Sequence, residues 1–178
     1  MKIPTVAIVG RPNVGKSTIF NKLIGKKISI IEDTPGVTRD RIYGTVTYEN
    51  YKFHLIDTGG IDVSEEDFNN EIIIQANIAI EEADIILFVV DGLEELNQND
   101  YVIRDILMKS GKRVIVVVNK LDNVKREENI YNYYELGFSE VLPVSGEHSL
   151  GLTDLLDSIT KDFNETTEEN EVDDRIKF

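Results

Sequence analysis

The octapeptide Gly10-Arg11-Pro12-Asn13-Val14-Gly15-Lys16-Ser17 matches the pattern G-x-x-x-x-G-K-[ST]. A β-branched run, Thr5–Val9, precedes it, and apolar residues on one face predict a helix over Lys16–Ile24. A glycine-rich turn between a buried strand and a helix N-terminus directs backbone N–H groups at phosphate oxygens. The sequence therefore predicts a phosphate-binding loop, in which Lys16 contacts the β- and γ-phosphates and the Ser17 hydroxyl binds Mg²⁺.

Strand-like runs alternate with helix-like stretches along the rest of the chain. Strands are predicted at 44–48, 51–57, 85–90, 113–118 and 141–144, and helices at 69–82, 101–109, 130–136 and 152–163. Strands separated by helices need crossover connections, which give a parallel sheet covered on both faces. A hairpin at Glu49-Asn50 adds one antiparallel edge strand. We therefore expect an α/β domain of the P-loop NTPase type, doubly wound and mostly parallel, with about six strands.

The tetrapeptide Asn119-Lys120-Leu121-Asp122 follows a predicted strand, which places it at the edge of the sheet where such folds bind ligands. Guanine presents two donors on one edge, and the Asp122 carboxylate can accept both, whereas adenine has no N1–H. A site built on such hydrogen bonds can discriminate by about 10⁴ or more. Asn119 is expected to join this loop to the phosphate loop, and the Lys120 stem to cover the base. GTP is therefore the predicted nucleotide.

Two further turns follow predicted strands. Asp57-Thr58-Gly59-Gly60 offers a carboxylate that can orient Mg²⁺ through water and a Gly60 N–H that can bond the γ-phosphate. That contact exists only before hydrolysis, so the next segment can respond when the γ-phosphate leaves. Ser145-Gly146-Glu147 can supply backbone N–H groups to guanine O6. An ordinary strand-to-helix turn is an equal interpretation of these last three residues taken alone.

The segment between the first helix and the hairpin contains two threonines that could close on Mg²⁺ and the γ-phosphate. Thr38 is the preferred candidate, and Thr34 is the alternative. Thr34 is less favoured because it precedes a proline, which holds it extended. Arg39 and Arg41 could stabilise developing charge, although solvated surface arginines are the simpler interpretation.

Composition and charge exclude several classes of function. The chain has 19 basic and 33 acidic residues, a net charge of −14, and no cysteine. The negative field repels phosphate backbones, so direct nucleic-acid binding by this domain is not expected. Without cysteine there is no disulfide framework or thiolate metal site. No apolar run approaches the ~20 residues that cross a bilayer, so we expect no membrane association and a cytoplasmic protein.

The chain is predicted to have three parts. Residues 1–163 form the nucleotide-binding domain. Residues 164–174 are acidic with a single apolar residue, which predicts a solvated, flexible linker. The alternation resumes at 175–178, which is interpreted as the truncated start of a second domain, with a frayed terminus as an equal alternative.

Several stretches resemble the EngA/Der family of tandem-G-domain bacterial ribosome-assembly GTPases. They are GRPNVGKST at 10–18, EDTPGVTRDR at 32–41, IDTGGID at 56–62, YELGF at 134–138 and GLTDLL at 151–156. The likeness covers about residues 3–163 and is to that family's first G domain. It implies GTP hydrolysis to GDP and phosphate, with a second G domain and a KH-like domain in cis. It also implies that the full-length protein acts in maturation of the large ribosomal subunit.

The resemblance bears on catalysis at two positions. Small signalling GTPases place a glutamine where this chain has Ile61, which cannot orient water and more simply packs against the core. Relatives with an asparagine at the position of Asn13 use K⁺, bound by that asparagine and by the loop that corresponds to residues 33–41, in place of an arginine finger. The resemblance therefore implies K⁺-stimulated hydrolysis, while a plain turn residue is the alternative for Asn13.

The predicted site has three overlapping groups of residues. The predicted catalytic residues are Lys16, Asn13, Thr38 and Gly60. The predicted metal ligands are Ser17, Thr38, Asp57 and Asn13. The predicted nucleotide contacts are Gly10, Arg11, Pro12, Asn13, Val14, Gly15, Lys16, Ser17, Thr18, Asp57, Thr58, Gly59, Gly60, Ile61, Asn119, Lys120, Leu121, Asp122, Ser145, Gly146 and Glu147.

Three other functions stay open on the sequence. The chain could be a GTP-gated binding module whose turnover is incidental. It could be an ATP-dependent P-loop enzyme, which the segment 119–122 argues against. A GTPase of tRNA modification shares the Asn13 loop, and sequence beyond residue 178 would separate it.

Overall fold

The computed structural model describes residues 3–25, 30–31, 42–60, 68–121 and 130–163. The strands of this part of the chain are β1 (Thr5–Val9), β2 (Ile30–Ile31), β3 (Ile42–Tyr48), β4 (Tyr51–Asp57), β5 (Ile85–Asp91), β6 (Arg113–Asn119) and β7 (Glu140–Pro143). Its α-helices are α1 (Lys16–Ile24), α2 (Phe68–Glu82), α3 (Gln98–Ser110) and α4 (Leu152–Thr160). Two 3-10 segments, Thr58–Gly60 and Ile130–Leu136, complete the described elements.

One sheet runs in the order β2-β3-β4-β1-β5-β6-β7. Strands β4, β1, β5, β6 and β7 are parallel to one another, and β3 joins β4 as an antiparallel hairpin. Every residue of β5 is buried, as expected of a central parallel strand with helices on both faces. The predicted doubly wound, mostly parallel sheet is confirmed. The two-residue β2 adds a second antiparallel pairing at the edge of the sheet. This strand was not predicted, because two residues are too few to show an alternating pattern.

The hydrophobic core forms one layer on each face of the sheet. Alternate residues of β1 divide between them, so that Val6 and Ile8 face the layer under α1 and α4, while Ala7 and Val9 face the layer under α2 and α3. Helix α4 ends three residues before the predicted limit. Phe163 still packs on the core, with its ring centroid 6.1 Å from that of Phe53.

The start of α3 differs from the prediction for a reason that the sequence contains. The helix begins at Gln98 rather than at 101, because Asn97 and Asp100 form a capping box. The Asn97 side chain accepts from the backbone of Asp100, whose carboxylate accepts from the Asn97 N–H. At the other end, Gly111 adopts φ 71° and ends the helix. This cap fixes α3 beside the phosphate loop.

Candidate nucleotide-binding site

The loop between β1 and α1 is curled by left-handed backbone and closed in by its neighbours. Asn13 and Gly15 have φ of 71° and 98°. A Cβ on Gly10 would lie 2.6 Å from the Val89 carbonyl oxygen, and one on Gly15 would lie 2.2 Å from Asn119 Nδ2. Both glycines are therefore required by space, and Gly15 also by its backbone conformation.

Lys16 begins α1 and directs its ammonium back into this loop. Its Nζ donates to the carbonyl oxygens of Gly10 at 2.5 Å and Arg11 at 3.1 Å. Burial lowers the pKa of Lys16 to about 8, although the nearby Asp57 carboxylate opposes that shift. A buried, poorly solvated ammonium enclosed by a glycine-rich turn is suited to bind phosphate oxygens.

A hydroxyl and a carboxylate meet beside Lys16. Ser17 Oγ donates to Asp57 Oδ2 at 3.2 Å, and the other Asp57 oxygen accepts from the Gly59 N–H at 2.9 Å. Asp57 is fully buried, and this burial raises its pKa. Hydroxyl and carboxylate oxygens are the ligands that Mg²⁺ prefers, so these residues fit that ion. No three of His, Cys, Asp and Glu come together as a metal-binding group in the described ranges.

The turn after β4 is held by the core. Thr58 Oγ1 donates to the Ile8 carbonyl at 2.7 Å, so its side chain fixes the turn. A Cβ on Gly59 would lie 2.4 Å from Lys16 Cε, which brings this turn against the lysine stem. Gly60 ends the 3-10 segment Thr58–Gly60.

Asn119, at the end of β6, joins three loops. Its side chain is buried, and Nδ2 donates to the Val14 carbonyl oxygen at 2.8 Å while Oδ1 accepts from the Gly146 N–H at 3.0 Å. The phosphate loop, the segment after β6 and the turn after β7 are thus connected by one side chain. Ser145 is buried in that last turn, and its backbone exchanges two hydrogen bonds with Leu150.

Lys120 joins the phosphate loop to the end of β5. Its Nζ donates to the Asn13 carbonyl oxygen at 2.9 Å and to Asp91 Oδ2 at 2.8 Å. Asp91 is 3% exposed at the end of β5, and sequence reasoning missed it. The signal was present, because a carboxylate ending the apolar run IILFVV needs a polar partner. The next residue, Leu121, is buried in the core, and its N–H donates to the Val144 carbonyl.

Arg11 contributes to the loop differently from its neighbours. Its guanidinium turns to α3, where Nε lies 3.2 Å from Asp100 Oδ2 and Nη2 lies 2.9 Å from Glu94 Oε2. The side chain thus anchors the phosphate loop to the capping box of α3. Pro12 beside it is half-buried.

Six of the sequence-predicted residues line a cavity of about 170 Å³. Its lining is Gly15, Thr18, Leu93, Asn119, Lys120, Ser145 and Glu147. Leu93 was not predicted. The remaining predicted site residues lie outside the described ranges, and they are Thr38 with its alternative Thr34, Ile61, Asp122, Arg39 and Arg41.

A phosphate loop, an aspartate-glycine turn and an asparagine-lysine loop at the carboxyl edge of one doubly wound sheet define a P-loop GTPase G domain. A family model described as "50S ribosome-binding GTPase" matches residues 5–120. The chain belongs to this family.

Comparison with curated relatives shows which members of this family the chain is similar to. The chain is 52% identical to GTPase Der of Macrococcus caseolyticus, 51% to that of Staphylococcus epidermidis and 50% to that of Listeria monocytogenes. Each alignment covers all 178 residues of the chain and 41% of the relative. The predicted resemblance to the EngA/Der family is confirmed, and the chain spans about two-fifths of the length of these relatives.

Solved structures agree in fold. Aquifex aeolicus Era bound to GDP·AlF4⁻, a single-residue variant, aligns with a TM-score of 0.73 and 35% identity over 93% of this chain and 58% of that one. The FeoB G domain from Methanococcus jannaschii aligns with a TM-score of 0.63 and 27% identity over 90% of this chain and 97% of that one. Among the described residues, no helix is both long enough and apolar enough to span a membrane.

Proposed function

We propose that the chain binds GTP and hydrolyses it to GDP and phosphate, with the bound nucleotide controlling affinity for a partner. The observation that carries the proposal is the Asn119 side chain, which connects the phosphate loop to the base-side loops through Val14 and Gly146. A base and a triphosphate would then be held by one connected unit rather than by separate segments.

Each part of the site has a role in this proposal. The curled loop 10–15 supplies N–H donors, and Lys16 neutralises the β- and γ-phosphates. Ser17 and Asp57 would hold Mg²⁺, which supplies charge neutralisation at the phosphates when bound. Asp122 would accept from both guanine donors. The N–H of Gly60 and the hydroxyl of Thr38 would contact the γ-phosphate.

The guanine assignment is tested by Asp122→Asn. The amide cannot accept from both guanine donors, but it can pair with xanthine, so preference should move from GTP to XTP by about 10²-fold or more. Competition titrations with the two nucleotides measure this shift. Asp105→Asn, at a carboxylate bonded to Arg104 on the surface of α3, serves as the matched control. GTP binding that is unchanged in Asp122→Asn would contradict the assignment.

The proposed function also includes stimulation of GTP hydrolysis by K⁺. Because the Ile61 side chain cannot orient water, K⁺ held by Asn13 and the segment 33–41 would stabilise the developing charge. In support, the Asn13 side chain is exposed, and its own carbonyl is already bonded to Lys120. Turnover should be faster in KCl than in NaCl, and Asn13→Ala should remove the difference. Asn132→Ala, another exposed asparagine, should retain it. Equal turnover of the unaltered chain in the two salts would remove this component.

The partner in this proposal is the large ribosomal subunit, bound by the full-length protein during its maturation in the cytoplasm. The Der relatives and the family description support it, and the 41% coverage leaves room for a second G domain and a KH-like domain in cis. The net charge of −14 favours RNA contact through those other parts. The domain limit at 163 and the linker 164–174 belong to the same proposal.

Co-sedimentation of full-length protein with large subunits tests the partner. Binding should differ between GDP and a non-hydrolysable GTP analogue, and Lys16→Ala should remove the difference because it weakens both nucleotides. Equal sedimentation in every nucleotide state would contradict nucleotide control of the partner.

A further inference from the structure

Leu93 lies in the loop after β5, and it is an apolar residue among mostly polar residues in the lining of a cavity. Leu93 is 69% exposed, yet it lines the cavity that Gly15, Lys120 and Ser145 also line. The polar atoms of that cavity can recognise the edge of a base. A purine also has apolar faces, and an exposed leucine at the cavity offers a surface that can cover them.

The loop that carries Leu93 is held by polar contacts on several sides. Asp91 Oδ1 accepts from the Leu93 N–H at 2.8 Å, and Asp91 Oδ2 binds Lys120 Nζ at 2.8 Å. Tyr133 donates its hydroxyl to the Asp91 carbonyl at 2.8 Å. The next residue along, Glu94, is paired with Arg11 of the phosphate loop at 2.9 Å. An exposed leucine on so constrained a backbone is pre-organised to meet a ligand at low entropic cost.

Two cavities adjoin Leu93, and the charges of their lining residues favour one of them for a nucleotide. A larger cavity of about 460 Å³ also touches Leu93. Its lining includes the carboxylates of Glu94, Glu95 and Glu135, which repel a phosphorylated ligand. The smaller cavity adjoins the phosphate loop at Gly15, and the charged residues of its lining are Lys120 and one carboxylate, Glu147. A guanine nucleotide therefore meets Leu93 from the smaller cavity.

We propose that Leu93 is a nucleotide-contacting residue that covers the guanosine moiety, and that Asp91 is its positioning residue. The inference rests on the proposed binding of guanine nucleotides. Because Asp91 binds both the Leu93 N–H and the Lys120 ammonium, one carboxylate sets the two side chains that give apolar cover to the nucleoside.

Leu93→Ala removes that cover without touching a polar contact. Partial burial of a leucine side chain predicts that GDP and GTP both bind about three- to tenfold more weakly, mainly through faster dissociation. The two nucleotides should lose affinity equally, because the contact is with the nucleoside and not with the γ-phosphate. The KM for GTP should rise by the same factor with little change in kcat, and Leu93→Met should restore most of the affinity.

The experiment is calorimetric titration of the 178-residue chain with GDP and with a non-hydrolysable GTP analogue, together with steady-state hydrolysis. Met108→Ala is the matched control, because Met108 is 45% exposed on α3 and absent from the lining of the cavity. Its affinities should equal those of the unaltered chain. If the unaltered chain binds GDP and Leu93→Ala binds it within twofold, the inference about Leu93 is overturned and the proposed function stands. If the unaltered chain binds no guanine nucleotide, both fail.

Discussion

Nucleotide binding should protonate Lys16 at alkaline pH. Burial lowers the pKa of Lys16 to about 8, so about half of the free protein carries a neutral lysine at pH 8, and about nine-tenths does at pH 9. Phosphate oxygens around Nζ favour the charged form and raise that pKa. Binding should therefore take up about 0.1 proton at pH 7, about 0.5 at pH 8 and about 0.9 at pH 9. Phosphate groups, with a second pKa of about 6, are ionised throughout the upper part of this range.

The assay is GDP titration calorimetry in buffers of different ionisation enthalpy, where the slope of the observed enthalpy gives the protons taken up. Lys22→Arg, on an exposed part of the same helix, should leave the slopes unchanged. Lys16→Arg should abolish them, because a guanidinium stays charged across this range. A slope of zero for the unaltered chain at pH 9, or a slope that survives in Lys16→Arg, would refute the reasoning.

The lowered pKa of Lys16 also makes the free energy of unfolding depend on pH. The folded-state pKa of about 8 lies below the ordinary value of 10.5, so between these values the unfolded chain binds more protons at this residue. The contribution of Lys16 to folding is unfavourable below pH 8 and is relieved as the pH rises towards 10.5. Nucleotide-free protein should therefore gain stability from this lysine over that window.

Three further substitutions test the contacts around the site and the far edge of the sheet. Asn119→Ala leaves a buried carbonyl and a buried N–H without partners, so urea unfolding should show a loss of about 2–4 kcal/mol in the free energy of unfolding. Gly15→Ala forces a Cβ to 2.2 Å from Asn119 Nδ2 at φ 98°, so GDP affinity measured by titration should fall at least about tenfold while circular dichroism stays native-like. Hydrogen bonds from Arg113 and Lys161 lower the pKa of Glu140 to about 2, so its stabilisation is present above about pH 4.5 and lost as the pH falls through 2. Urea unfolding of Glu140→Gln should therefore differ from the unaltered chain at pH 7 and converge with it near pH 2.

Most of the fold could be predicted from the sequence, because the patterns that define its strands and helices lie within contiguous segments. Each buried parallel strand is a continuous apolar run, and Gly25 and Gly111 end their helices at positive φ. The errors have equally local causes. The capping box at Asn97 and Asp100 was overlooked, and the two residues of β2 are too few to form a pattern.

The site was only partly readable. The phosphate loop and the segment 119–122 are contiguous motifs, so their residue types and spacing indicate chemistry directly. The partnership of Arg11 with Asp100 joins residues 89 positions apart, and that of Asp91 with Lys120 joins residues 29 apart. Such pairs are set by how α3 and β6 pack beside β1, which no single-sequence pattern encodes. The same holds for Leu93, whose exposure beside a polar cavity is a property of the folded chain.

The cross-link made by Asn119 has a consequence for synthesis of the chain. Asn119 lies 105 positions after Val14 and 27 before Gly146. A growing chain therefore carries its phosphate motif long before it has either partner for the base-side loops. Guanine selectivity can arise only after β6 and the turn beyond β7 have joined the sheet. An N-terminal fragment that emerges first should have no means of telling one purine from another.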